Sequence, residues 1–162
     1  MRPRLGYAKL NVDASFDVDS LAGSVGAVLP DHTGKFLAAA NERIEICLVS
    51  FTPEAIAVRF GINLARTIGC NKTEIKSDSL EVVSALNEGY SSSVASAIFD
   101  DCYFMSLDFN HVIYEHYNRE NNMVADELAR IASFSPPSIW LESPPVEVIP
   151  LIVNDTTLVT IE

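Results

Sequence analysis

Near residue 50 the spacing of apolar residues changes from every second position to every third or fourth. That switch limits the chain to folds in which helices cover a sheet. Before it, Tyr7 to Phe16 alternates, with Ala8, Leu10, Val12 and Ala14 on one parity and Lys9, Asn11, Asp13 and Ser15 on the other, a strand pattern. Gly23 to Leu29 is a second strand, Asp31-His32-Thr33-Gly34 a turn, and Lys35 to Ile44 a third strand, so an antiparallel meander is expected. After it, Thr52 is the expected N-cap of a helix, with Pro53 in its first turn and Glu54 facing the positive end of its dipole. Ile56, Phe60, Leu64 and Ile68 recur at helical spacing beside Ala57 and Ala65, and Gly69 stops the helix. Lys72 to Ser77 then reads as a strand, Ser79 to Glu88 as a helix ended by Gly89, and Ser93 to Leu107 as a helix with Ile98, Cys102 and Met105 on one stripe. His111 to Tyr117 is a strand and Val124 to Ala132 a helix. The order β-β-β-α-β-α-α-β-α defines a mixed α/β domain.

A length of 162 residues fits one domain, and 48 % apolar with 20 % charged residues can bury a core. No apolar run approaches the roughly 18–20 residues that cross a bilayer. The basic start, Arg2 to Arg4, has no apolar stretch after it, so the expectation is an intracellular protein, nuclear or cytoplasmic, and not a secreted one. Cys47, Cys70 and Cys102 are odd in number and widely spaced. They argue against a disulfide framework and a CxxC-type zinc site, and each reads as a small buried apolar residue. Residues 1–6 read as linker, 7–133 as the domain, and 134–162 as an extended acidic tail punctuated by Pro136-Pro137 and Pro144-Pro145. The tail is either a strap on the domain or a linker fragment, and Ile139-Trp140-Leu141 with Val146 to Val153 favours docking.

The net charge of −11 is unevenly spread. Residues 1–40 carry four basic and four acidic side chains, residues 41–80 five and five, and residues 81–162 two and thirteen. A neutral first half is able to face a phosphate backbone if local basic groups or a bound metal assist it.

Four acids sit where a buried charge is costly. Asp13 interrupts a strand between core positions, Glu54 opens an apolar helix, Asp78 ends an apolar strand, and Asp126 lies in the helix Val124-Ala125-Asp126-Glu127-Leu128. Singly, each has an ordinary explanation: Asp13 a turn cap, Glu54 a partner of the dipole, Asp78 an N-cap, Asp126 a solvated helix residue. Together they would repel one another unless a counter-charge intervened, and a divalent cation supplies one. Mg²⁺ takes oxygen ligands and suits carboxylates shared with substrate phosphates. Two such ions about 3.5–4 Å apart make a phosphodiester-cleaving site.

The segments Lys9-Leu10-Asn11-Val12-Asp13-Ala14-Ser15, Gly23-Ser24-Val25-Gly26-Ala27-Val28-Leu29, Asp31 to Gly34, Phe51-Thr52-Pro53-Glu54-Ala55, Ile75-Lys76-Ser77-Asp78-Ser79 with Val82-Val83, and Arg119-Glu120-Asn121-Asn122-Met123-Val124-Ala125-Asp126-Glu127-Leu128-Ala129 occur in that order. Joined by the right elements, they resemble the type 1 ribonuclease H domain. The resemblance is to its divergent plant form, which accompanies or descends from the reverse transcriptases of retroelements. It covers about residues 7–133, and the family's Trp-Leu-x-x-Pro-Pro ending is found as Trp140 to Pro145.

The resemblance implies a five-stranded mixed sheet with helices on both faces. It implies two Mg²⁺ ions, replaceable by Mn²⁺, held by Asp13, Glu54, Asp78 and Asp126, and a proton-carrying His at the position of His116, ten residues before the last Asp. His116 alternatively packs or hydrogen-bonds at a strand end. Softer implied contacts are Asn122, as helix cap and near the scissile bond, and Arg119, on a phosphate or merely offsetting Glu120 and Glu115. Asn11 and Ser15 would lie at the sugar edges of an RNA–DNA hybrid, where width and 2′-hydroxyls are read rather than bases. One departure stands out. Ile98 to Leu107 and Asp108 include three Asp and no Lys or Arg, where bacterial relatives have a basic protrusion, and Pro30 stands where related sequences place a basic residue. Weak, salt-sensitive nucleic-acid binding is expected, with a partner domain, such as a once-fused reverse transcriptase, supplying the grip. The first reading is therefore an Mg²⁺-dependent endonuclease cutting the RNA strand of RNA–DNA hybrids. The alternative is a catalytically silent retroelement remnant serving as a nucleic-acid-binding or protein-interaction module, and a third is an unrelated metal-binding α/β domain.

Overall fold

A computed structural model describes residues 3–17, 19–45, 53–89 and 96–154. Strands β1 (Ala8–Asp17), β2 (Ala22–Pro30) and β3 (Phe36–Glu45) form the antiparallel meander. Then follow helix α1 (Pro53–Ile68), strand β4 (Lys72–Ser77), helices α2 (Leu80–Glu88) and α3 (Ser96–Ser106), strand β5 (His111–His116) and helix α4 (Met123–Ala132). Strand β6 (Ser138–Leu141) and the short helix α5 (Ile149–Asn154) come from the tail. The expected N-cap Thr52, the start of the third helix at Ser93, Cys47 and residues 155–162 lie outside the described residues.

The sheet has six strands in the order β5-β4-β1-β2-β3-β6 rather than five. The extra strand pairs antiparallel with β3, Ala40 opposite Ile139 and Ala38 opposite Leu141. In the sequence its Ile139-Trp140-Leu141 run shows apolar content suited to docking but no partner, because a four-residue strand is too short to show its own period. β1, β4 and β5 run parallel to one another.

Alternation along β1 sends Leu10 and Val12 to one face of the sheet, where α1, α2 and α3 close the larger core with Ile62, Ile75, Val82, Phe99 and Cys102. Burial pushes the Cys102 thiol up to about 12, which suits an inert core residue. On the other face α4, Val148 and α5 cover Val28, Ala39 and Trp140. Three polar side chains tie α4 to the sheet: Ser24 Oγ donates to the Ala129 carbonyl (2.5 Å), Asn41 Nδ2 to the Leu128 carbonyl (2.9 Å), and Asn122 Nδ2 to the Val12 carbonyl (2.8 Å).

Residues 3–6, read as linker, are held down by Arg4. Its backbone N–H donates to Glu74 Oε1 (2.9 Å), and its guanidinium bridges Glu74 and Glu115 at 2.7 and 2.6 Å. Lys76 lies 3.3 Å from Glu74 and 2.6 Å from Glu115. Burial alone would raise the Glu74 carboxyl, but these cations hold it below its ordinary value. Its contribution to stability is thus present above the unfolded value and lost as pH falls. Removing one partner of a buried ion pair leaves the other uncompensated, so Glu74→Gln is expected to cost about 3 kcal/mol at neutral pH by urea denaturation. A change within error would show that the network is inert.

Candidate active site

The parity that buries Leu10 and Val12 turns Lys9, Asn11 and Asp13 to the opposite face, beneath α4. Asp13 pairs with Gly26 of β2. A side chain at Gly26 would be impossible without movement, since a Cβ there would lie 2.4 Å from the Ala125 carbonyl oxygen and 2.6 Å from the Ala129 nitrogen. The missing side chain therefore lets the first turns of α4 rest on the sheet beside Asp13, and Asp126, the residue after Ala125, reaches the Asp13 carboxyl and shares a hydrogen bond with it. Asn11 pairs with Lys76 in the parallel β1–β4 ladder, so Asp78, two residues on, comes level with Asp13. β5 continues the ladder with Ser77 opposite His116. The exposed His116 ring donates its Nε2–H to the Asp78 carbonyl oxygen (3.2 Å).

Asp13 is 6 % exposed. Burial raises its pKa first, then the charges of Asp78 and Asp126, carrying it to about 8. Of the ordinary roles weighed for its partners, the N-cap role of Asp78 is taken by another residue, while Asp126 is exposed as a solvated helix residue would be. Ser79, not Asp78, is the N-cap of α2 and accepts from the Val82 N–H. Arg130 pairs with Glu127, not with Asp126. Of the four acids only Asp13 is buried; Glu54 and Asp78 are half-buried and Asp126 is exposed.

Glu54 comes from the other face. Gly61 of α1 sits against Val12 and Leu10, where a Cβ would lie 2.4 Å from Val12 Cγ1. Glu54 is two turns earlier on the same helix face, about 10 Å along the axis. Ile56 lies near Ile44 and Ile68 near Ala40, so α1 runs antiparallel to β3 and therefore to β1. Its first turn thus comes to the end of β1 that carries Asp13, while the groups acting on the Asp13 carboxyl are Asp78 and Asp126.

Asn122 holds the N-cap position of α4 but makes no side-chain cap bond. Its amide instead anchors the Val12 carbonyl, next to Asp13, and its buried Oδ1 has no partner among the described residues, nor has that of Asn11. Ser15 is half-buried on the Asp13 parity. Arg119 lies exposed in a 3-10 turn before α4. It does not offset Glu115, which Arg4 and Lys76 engage. The acids of α3 and of the turn after it are less isolated than their sequence implies, because Arg59 and Arg66 of α1 reach Asp101 (2.9 Å) and Asp108 (3.3 Å).

The polar residues that sequence reasoning passed over are Lys9 and Tyr117. Lys9 is fully buried, its Nζ donates to the Tyr117 hydroxyl (2.9 Å), and it lies over that ring. The signal was available, since Lys9 shares the parity of Asp13.

Among the described residues no three His, Cys, Asp or Glu side chains are set to grasp a metal ion as they stand. The donor set still fits a hard divalent cation in kind: all its donors are carboxylate oxygens, and the Asp13 carboxyl is raised by burial first and then by the charges of Asp78 and Asp126, which a cation would neutralise. A group whose folded pKa is raised adds stability fully present below its unfolded value and lost as pH rises through the folded one. The ion-free protein is therefore expected to lose thermal stability between about pH 4 and 8, and Mg²⁺ to restore more of it as pH rises through that window. Melting curves with and without Mg²⁺ that stay parallel from pH 5 to 8 would contradict the coupling.

This sheet order, with α4 over the first strand and acids on neighbouring parallel strands, is the architecture of type 1 ribonuclease H. Three solved structures share it. Ribonuclease H1 of Halobacterium salinarum superposes with a TM-score of 0.71 at 20 % identity over 78 % of this chain and 97 % of that one. LC11 ribonuclease H1, isolated from compost and solved in complex with an RNA/DNA hybrid, gives 0.67 at 18 % over 77 % and 95 %. The prototype foamy virus protease–reverse transcriptase gives 0.54 at 18 %, covering 80 % of this chain but 21 % of that one. No curated protein matches the chain. The reverse transcriptase-like family model matches residues 11–132, and the chain belongs to that family. An unrelated metal-binding α/β domain is thereby set aside.

Proposed function

We propose that the protein is a divalent-metal-dependent endonuclease that hydrolyses the RNA strand of RNA–DNA hybrids. What supports this reading above all is the meeting of Asp13, Asp78 and Asp126, from three distant segments, on one sheet face with His116 bonded beside them. The ribonuclease H fold of hybrid-binding LC11 ribonuclease H1 adds to it.

Asp13, Asp78 and Asp126, with Glu54 arriving from α1, would hold two Mg²⁺ or Mn²⁺ ions, which when bound activate water and stabilise the leaving oxygen. The protein's own groups do the rest. Asp126 rides on a helix fixed to the sheet, and Asn122 fixes the backbone before Asp13. With Nε2–H committed to the Asp78 carbonyl, His116 keeps Nδ1 as the ring nitrogen that accepts and passes on a proton beside the acids. Arg119 meets a phosphate, and Asn11 and Ser15 lie on the Asp13 parity toward the sugar edge.

The test is cleavage of a labelled RNA–DNA hybrid, with RNA and DNA duplexes as controls, in Mg²⁺ or Mn²⁺. Hybrid-selective, metal-dependent product absent from Asp13→Asn is the expected result. Equal background from both proteins would overturn it.

A second reading, a silent module that binds nucleic acid or protein on the same fold, is favoured by one observation: among the described residues no three acids are set for a metal as they stand. It predicts hybrid binding without turnover, at an affinity that Asp13→Asn leaves unchanged.

A further inference from the structure

Among the described residues Lys9 is the largest side chain wholly sealed from solvent, at 0 % exposed. An ammonium taken out of water is costly unless hydrogen bonds hold it, and a methionine would fill the same space without that cost. Its use here points to a bond whose direction matters. The Lys9 Nζ donates to the Tyr117 hydroxyl (2.9 Å) and lies 4.6 Å from the centre of that ring.

Strand register shows what the bond joins. Lys9 stands opposite Glu74 of β4, and Glu74 opposite Ile113 of β5, which precedes Tyr117 by one turn of the pleat and more. The two side chains therefore meet on a diagonal across β4, tying the start of β1 to the chain as it leaves β5. Tyr117 follows His116, the last residue of β5. Its backbone N–H donates to the Ser77 carbonyl (2.8 Å), beside Asp78. The peptide that leaves His116 is thus pinned twice, to β4 through the main chain and to β1 through the Lys9 ammonium. Further on, the Asn122 amide returns to the Val12 carbonyl (2.8 Å), so the connection from β5 to α4 is tied to β1 at both ends.

We propose that Lys9 and Tyr117 are positioning residues for His116. Their bond fixes the chain where it leaves β5, which holds the His116 Nε2–H on the Asp78 carbonyl oxygen (3.2 Å) and keeps Nδ1 as the nitrogen that takes the proton. Both side chains are buried and act on the site only through His116. The consequence for cleavage rests on the nuclease reading, and the consequence for the ring does not.

Nitrogen NMR of the His116 ring, on isotope-labelled protein in chelator at about pH 8, reads which ring nitrogen carries the proton. In the parent it is expected on Nε2. In Lys9→Met and in Tyr117→Phe the two ring-nitrogen signals should move toward one another as the tautomers mix, and the Tyr117 amide should exchange at least about tenfold faster. The double variant should go no further than either single one, because one bond is lost in all three. Tyr7→Phe is the control: it removes the hydroxyl that meets His111 Nδ1 (2.7 Å) at the other end of β5 and should leave His116 unchanged. Circular dichroism verifies folding, and Tyr117→Phe, which keeps the ring, decides the matter if Lys9→Met does not fold. In hybrid cleavage both variants should lose about tenfold in kcat with KM within about twofold of the parent. Variants that melt at a different temperature but leave the His116 signals where they are would overturn the proposal. If no protein cleaves the hybrid, the nuclease reading falls, and the ring signals still decide whether Lys9 and Tyr117 position His116.

Discussion

Gly26→Ala is expected to lower the stability of the domain by about 3 kcal/mol, the upper part of the range for overpacked cores. The added methyl would meet main-chain atoms, the Ala125 oxygen at 2.4 Å and the Ala129 nitrogen at 2.6 Å, with Leu128 Cβ at 2.9 Å. A flexible side chain yields by rotating, but a hydrogen-bonded helix has to move as a body. In a domain of this size the loss corresponds to a melting temperature lower by about 6–12 °C. Gly61→Ala is the control. Its methyl would meet Val12 Cγ1 at 2.4 Å and Leu10 Cδ2 at 3.0 Å, side-chain rather than main-chain atoms, and about 1–2 kcal/mol is expected. The two also separate in function. Displacing α4 moves Asp126 from Asp13, so Gly26→Ala should lose most of its stabilisation by Mg²⁺ while Gly61→Ala keeps it. A Gly26→Ala protein that melts with the parent would mean that α4 does not rest on the sheet as described.

Asp78→Asn is expected to act in opposite directions on folding and on function. Asp78 is half-buried level with Asp13, and its charge is one of the causes that raise the Asp13 carboxyl to about 8. Replacing it with a neutral amide removes that repulsion. Without divalent ions at pH 8 the variant should be more stable by about 1 kcal/mol, the scale of one pKa unit. The Asp13 titration should move toward its ordinary range. Hybrid cleavage should fall at least about 100-fold, since a ligand to a charge-neutralising ion is worth several kcal/mol. A residue kept only for the fold would show a loss of stability in place of the gain. Denaturant titration at pH 8 in chelator, paired with the cleavage assay, reads both signs. Lower stability with undiminished cleavage would remove Asp78 from the site.

Much of this arrangement was legible before any coordinates. The alternation of Ala8 to Ser15 gave β1 its two faces, and Lys72 to Ser77 was bounded to the residue between the helix stopped at Gly69 and the helix that starts at Ser79. β6 was not legible, since four residues next to a proline pair carry no period of their own and take their partner from β3. The role of Arg4 was hidden for a different reason. An arginine near a chain end reads as solvated, and only the fold brings Glu74 and Glu115 within its reach across 70 and 111 residues. The site divided in the same way. Strand register carried Asp13 and Asp78, and the glycine beside them carried Asp126. The placing of Glu54 depends on how α1 begins, and the expected cap Thr52 lies outside the described residues.

The three polar bonds that join α4 to the sheet have one more consequence. Ser24 and Asn41 each address a particular carbonyl of the helix, Ala129 and Leu128, and Asn122 addresses one carbonyl of β1. A one-residue slip of the helix would shift those acceptors by about 1.5 Å and turn them through about 100°. The bonds therefore act as an index that sets which residue of α4 faces Asp13. The connection from Asn118 to Asn121 is relieved of that task and is free to lengthen or shorten without carrying Asp126 away from its partner.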